Sequence, residues 1–198
     1  MPKHKHSLSA AILTALFATS VFAAPSLAED KTMAKGEKTV MVGGAPMYPS
    51  KTIVQNAVNS KDHTTLVAAV KAAGLVDTLS GAGPFTVFAP VNPAFAKLPA
   101  GTVETLLKPE NKATLTNVLT YHVVPGRLTA ANLMKAVKDG GGQAKFKTVA
   151  GGEITVKSPS AGKLTVTDAK GDVATVTTGD VMQANGVIHV VDTVLLPG

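Results

Sequence analysis

The chain has 198 residues, 45% of them apolar, a mean hydropathy of +0.22 and a formal charge of +6; this balance excludes wholesale disorder and suits one domain of ordinary size plus extensions. It contains no cysteine, which excludes a thiol nucleophile, a Cys-ligated zinc or iron–sulfur cluster and a lipid anchor on an N-terminal cysteine. Eighteen of the nineteen basic residues are lysines scattered among acids and only Arg127 is arginine, a pattern that argues against nucleic-acid recognition, which relies on clustered charge and bidentate arginine.

Lys3 and Lys5 precede an uncharged run from Leu8 to about Ala24 that closes on small residues, the pattern of an export signal over residues 1–28. Cleavage can follow Ala23, Ala24 or Ala28, and the mature chain then carries a net charge of +4. The run is shorter than the ~20 apolar residues of a membrane span and is interrupted by Thr14, Thr19 and Ser20, so no stable membrane insertion is expected after signal removal. Residues 29–49, charged and then punctuated by Gly and Pro, read as a linker and lead-in.

Ser50 is a candidate N-cap for a helix that places Ile53, Val54, Ala57 and Val58 on one face. A second helix is predicted over 62–73, with Leu66, Val67 and Val70 as its stripe, Gly74 as a left-handed cap and Leu75 packing back. "GPFTVFAP" predicts a short strand at 85–89, and "NPAFAKLP" a helical turn with Asn92 as cap and Pro93 at its first position. Helices follow at 101–107 and 109–120, the second with Leu115, Val118 and Leu119 on one side, then a strand at 121–124. Thr129 caps a helix reaching Lys138, which "DGGG" stops. From Gln143 onward, "AKFKTVA", "EITVKS", "KLTVTD", "DVATVTT" and "GVIHVVDTVLL" are β-branched runs between turns, a set of antiparallel strands. Helices first and strands afterwards predict an α+β domain, and no internal repeat is present.

Catalytic patterns are wanting. There is no G-x-S-x-G elbow, and a triad can be assembled only on paper from the three histidines outside the signal, His63, His122 and His189, and the many Ser, Thr and Asp residues. No metal-binding histidine spacing occurs, and His4 and His6 lie in the signal. Asp168 and Asp172 in "TDAKGD" fall short of a calcium loop and read as a solvated hairpin turn. The glycine groups "MVGGAP", "DGGGQ" and "VAGGE" lack the context of a phosphate cradle and read as turns. No enzyme activity, metal or cofactor is expected. His122 and His189 sit inside β-type runs, His189 on the face of Val187 and Val191, which favours structural hydrogen bonding. In a regular strand Tyr121 and His122 point to opposite sides, so one of them approaches the exterior, and Tyr121 is the better candidate for touching a partner.

Three stretches, "TVFAPVNPAF" at 86–95, "YHVVPG" at 121–126 and "NGVIHVVDTVLLP" at 185–197, resemble the two signature boxes and the tyrosine–histidine motif of the fasciclin domain, in order and spacing, over residues 50–197. The lead-in is similar to that of short, single-domain bacterial members, particularly proteobacterial ones. The matching positions are Thr86, Phe88, Ala89, Pro90, Asn92 and Phe95, then His122, Pro125 and Gly126, then Gly186, His189 and Asp192. The resemblance implies an α+β fold, a fasciclin-like wedge-shaped β-sandwich of antiparallel strands with several helices packed on one flank. It implies a cofactor-free role in cell adhesion or extracellular-matrix contact, with Tyr121 and His122 as candidate partner contacts. The expected function is an exported, non-enzymatic interaction module, periplasmic or secreted and surface-associated, that meets a protein or glycan of a surface, biofilm or host. The alternative is a secreted carrier of a small apolar ligand such as a carotenoid or lipid.

Overall fold

A computed structural model of the chain describes residues 38–160 and 162–198; the expected export signal, its cleavage sites and the first part of the lead-in lie outside these residues. The described chain opens on a hairpin, β1 (Val40–Val42) and β2 (Ala45–Met47). Its turn is Gly43-Gly44, both at positive φ, which a two-residue hairpin loop of this hand requires and glycine supplies without strain. Val42, Ala45 and Met47 are buried in the main core, so these residues belong to the domain and correct the expectation of a linker reaching residue 49. Strands of three residues are too short to display an alternation from which the hairpin could be read.

Among the described residues seven α-helices precede the main sheet or are inserted into it. α1 (Ile53–Ala57) starts from Thr52, not Ser50: the Thr52 hydroxyl accepts from the Gln55 backbone while the Gln55 side chain accepts from the Thr52 N–H. α2 (Thr64–Ala73) follows a 3-10 turn at 61–63 and ends at Gly74 in the left-handed region, with Leu75 N–H returning to the Val70 carbonyl. A short α3 (Val76–Ser80), absent from the sequence expectation, leads into β3 (Phe85–Pro90). α4 (Asn92–Ala96), α5 (Thr102–Leu107) and α6 (Lys112–Tyr121) then return the chain to β4 (Val123–Pro125). α7 (Ala130–Asp139) carries the expected Thr129 cap, closed as a box by Asn132.

The remaining strands are β5 (Gln143–Lys147), β6 (Glu153–Ser160), β7 (Lys163–Thr167), β8 (Val173–Gln183) and β9 (Gly186–Val191). With β3 and β4 they form one seven-stranded sheet, ordered β4-β3-β9-β8-β7-β6-β5. Pairing is antiparallel except that β9 runs parallel to β3, because the chain returns to β3 only after the long excursion through α4–α7 and β5–β8. β8 is shared: Val173–Thr175 pairs with β7, and the rest pairs with β9 through two register shifts that bend the strand. The sheet thereby folds over, and Phe88 and Val191 of β3 and β9 pack in one cluster with Ile154, Val156 and Val166 of β6 and β7 and with Leu133 of α7. A second cluster fills the space between α1, α2, α6 and the opposite face of β3 and β9. The result is the α+β wedge with several helices packed on one flank and α7 against the other cluster.

Candidate functional site

The chain reaches residue 121 as a helix. Tyr121 is the last residue of α6 and His122 its C-cap at φ −81, ψ −3, so the strand begins at Val123 and the regular-strand geometry that would turn Tyr121 outward does not exist. Tyr121 is 1% exposed and His122 2%; neither presents a surface to a partner, and both are corrected from contact candidates to internal ties. The Tyr121 hydroxyl donates to the Glu153 carbonyl at 2.7 Å and accepts from Ala169 N–H at 3.0 Å. Burial pushes this phenol above its ordinary pKa. Its ring lies against Gly152, where an added Cβ would come within 2.7 Å of it.

His122 bridges helix and C-terminus. The Val118 carbonyl, 2.8 Å away, can only accept, so Nδ1 carries the proton, and Nε2 accepts from Leu195 N–H at 2.9 Å. Burial holds the ring at a pKa of about 4, against weaker opposing pulls from the Val118 carbonyl and Asp168. A second proton would also set an N–H against the N–H of Leu195, so this site is built for the neutral imidazole.

The other signature positions are similarly occupied. The fully buried Thr86 donates to the Gly126 carbonyl at 2.7 Å and accepts from Leu128 N–H at 2.9 Å, fastening the turn after Pro125. His189 stacks on Phe88 with 5.6 Å between ring centres, donates from Nε2 to the Leu128 carbonyl at 2.7 Å and accepts from Asp180 N–H at 3.4 Å; burial lowers its pKa. At Gly186 a Cβ would come within 2.0 Å of the Phe85 carbonyl oxygen, so the close approach of β9 to β3 demands glycine. Ala89 is buried beside Pro90 at the end of β3, and Phe95 is half-buried against the core. Asp192 accepts from Thr175 N–H at 2.7 Å, holding the end of β9 to β8. Asn92 does not cap α4, as its position beside Pro93 suggests. Its amide donates to the Lys61 carbonyl and its oxygen accepts from Thr65 N–H, so it caps the start of α2 from another segment.

Sequence reasoning missed several residues of this network. Asp168 is buried, not solvated: Oδ1 accepts from Lys170 and Asp172 N–H and Oδ2 from Leu196 N–H at 2.8 Å. Asn185 accepts from Ile53 N–H and donates to the Leu79 and Gly81 carbonyls. Asn56 joins Gln183 and the Tyr48 backbone. Their local signal is that of ordinary turn or helix residues, and only distant segments reveal the role.

Hydrolytic geometry is closest to Ser60 and His63, with Oγ and Nδ1 2.9 Å apart. Both are at most 3% exposed in apolar surroundings, no well-formed hydrogen bond reaches Nε2, and burial holds the ring below its ordinary pKa, partly offset by the Ala89 backbone and Asp62. A nucleophile sealed from substrate is a packing element, not an active site. Among the described residues no group of three or more His, Asp or Glu side chains is gathered as a metal site.

The fasciclin domain profile matches residues 61–197. The chain belongs to the fasciclin domain family. It is 49% identical over 163 residues to protein sll1483 of Synechocystis, covering 81% of this chain and 82% of that one. It is 37% identical over 146 residues to the immunogenic protein MPB70 of Mycobacterium bovis, covering 71% and 66%. Its fold matches the fasciclin domain pair of the insect cell adhesion molecule fasciclin I with a TM-score of 0.66 at 20% identity, over 75% of this chain and 52% of that structure. In this fasciclin domain the hairpin and α1, which precede residue 61, complete the core.

Proposed function

We propose that the chain is an exported, non-enzymatic interaction module, periplasmic or surface-associated, acting in adhesion or in biofilm or host contact through recognition of a protein or glycan. One observation carries this reading: every chemistry-bearing signature side chain, His122, His189, Thr86 and Asn92 among them, is committed to main-chain partners, which leaves recognition to the outer surface. Membership of a family that includes an insect cell adhesion molecule agrees with it, as does the export-type N-terminus. Two places bear on the carrier reading: an open groove of about 880 Å³ that includes Lys38, Arg127, Thr129, Asp180 and Gln183 in its lining, too polar for a wholly apolar ligand, and an aliphatic cleft lined by Ile53, Val54, Leu66, Val70, Leu79 and Val87, whose volume is about 40 Å³. Ligand pockets run from roughly 300 Å³ upward, so a carotenoid or lipid would require this packing to open, and the interaction module is the better-supported function.

The test compares a deletion strain, the strain complemented with the full chain, and the parent in surface attachment and biofilm assays, with mass spectrometry of the N-terminus in envelope and culture fractions. Reduced attachment restored by complementation, with processing at residue 23, 24 or 28, is expected. Unchanged attachment, biofilm and host association, or an unprocessed chain retained in the cytoplasm, overturns the reading.

A further inference from the structure

The outer face of strands β5–β8 carries a repeated arrangement of lysine and threonine. Inward residues Phe146, Ile154, Val156, Leu164, Val166 and Ala174 pack in the core, and by alternation their neighbours point outward. Two rows result. Lys145 pairs with Thr155, Thr155 with Thr167 and Thr167 with Val173; alongside, Gln143 pairs with Lys157, Lys157 with Thr165 and Thr165 with Thr175. Lys147 and Lys163 extend the face at either end. The four lysines are exposed and the threonines half-exposed, and neighbouring strands about 4.8 Å apart make the four-strand face ~14 Å wide.

Its charge is one-sided. Against four lysines the face holds one carboxylate, Glu153, 3.7 Å from Lys145; Asp168 in the adjoining turn is buried on backbone N–H groups, and Asp139 of α7 is paired with Lys135. Asp172 and Lys170, both exposed in that turn, offset one another. Lysines on an edge strand block unwanted strand pairing, which accounts for Lys145 and Lys147 on β5 but not for Lys157 and Lys163, whose strands have neighbours on both sides. Diagonal lysines such as Lys145 and Lys157 stand ~7–8 Å apart, within the ~8 Å screening length of physiological salt, so a polyanion meets them as one field.

We infer that this lysine–threonine face binds an acidic polysaccharide of the polyuronate class, lysines meeting carboxylates and threonine hydroxyls meeting sugar hydroxyls. The inference rests on the exported interaction module proposed above and names its partner. No aromatic side chain stands on the face, so the ring stacking that neutral sugars or nucleobases would use is missing, and charge must supply the affinity.

The experiment measures binding of the purified full chain to alginate, with dextran, single-stranded DNA and vesicles containing anionic lipid as comparison polymers and surfaces. Binding to alginate that weakens with added salt through counterion release, with none to dextran, is expected. The double variant Lys157→Glu, Lys163→Glu should lose about tenfold or more in affinity at an unchanged melting midpoint, while Lys108→Glu, Lys112→Glu on the helical flank should keep it. No alginate binding at low salt, equal loss in both double variants, or tighter binding to DNA or vesicles overturns the inference. Because the readout is binding in solution, it can fail while the attachment phenotype stands, and the reverse.

Discussion

Acidification is the sharpest perturbation of the inner network, and His122 sets its scale. The ring has a pKa of about 4 when folded and about 6.5 in an unfolded chain. The unfolded state therefore binds the proton first, and the His122 contribution to stability is complete above pH 6.5 and lost as pH falls from 6.5 towards 4. The full difference is about 3 kcal/mol, of which about 2 kcal/mol is gone between pH 7 and pH 5. His189 and His63, also lowered by burial, add losses of the same sign. Denaturant midpoints recorded from pH 8 to 5, above the range where ordinary carboxylates titrate, should hold level to about pH 7 and then fall. In His122→Gln the fall over that window should shrink by about 2 kcal/mol even though the variant starts lower. Titration of the His122 ring by NMR in the folded wild type supplies an independent reading. Stability that stays flat from pH 7 to 5, or a folded-state ring that titrates near 6.5, would refute the reasoning.

Two further substitutions probe neighbouring ties. Gly152→Ala places a methyl 2.7 Å from the buried Tyr121 ring; it should cost about 1–3 kcal/mol through forced repacking, seen as a lower melting midpoint, and an unchanged midpoint contradicts the packing described. Asp168→Asn keeps one acceptor oxygen and turns an amide N–H₂ towards a backbone donor that a carboxylate oxygen now satisfies. A loss of about 1–3 kcal/mol is expected, with faster hydrogen exchange at Leu196; unaltered exchange there would show that the carboxylate does not hold the C-terminal segment.

What the sequence disclosed was what short range determines. The helix ending at Gly74 is legible because its cap lies within a few residues: glycine at φ 73 and Leu75 N–H on the Val70 carbonyl. The Thr129 cap is legible for the same reason. Tyr121 was misplaced because "TYHVV" has a strand's composition, yet α6 extends through Tyr121 and only three residues pair with β3. Asn92 beside Pro93 has the local form of a cap for its own helix, and nothing nearby announces that its amide faces Lys61 and Thr65. Asp168 likewise forms a turn with Lys170 and Asp172, which sequence suggests, and holds Leu196, which it does not. Parallel pairing of β3 with β9 is of this second kind, since strand composition alone does not orient strands a hundred residues apart.

The residues that make the family recognisable are also those that join distant segments: Thr86 to Gly126, His122 to Leu195, His189 to Leu128 and Asn92 to Lys61. Each tie spends polar atoms of its side chain inside the domain, so the buried members of the motif, Thr86, His122 and His189, serve the skeleton. Recognition then has to be located by exposure and charge, and the face that combines them, from Lys145 across to Thr175, contains none of the signature positions. Two classes of substitution should separate on that basis. Changes at Thr86, His122 or Asp168 lower the melting midpoint yet leave alginate affinity intact while the protein stays folded; changes at Lys157 and Lys163 do the reverse. Variants that lost both properties in proportion would mean that the partner reads the inner network through the sheet, and the division between skeleton and contact surface would fall.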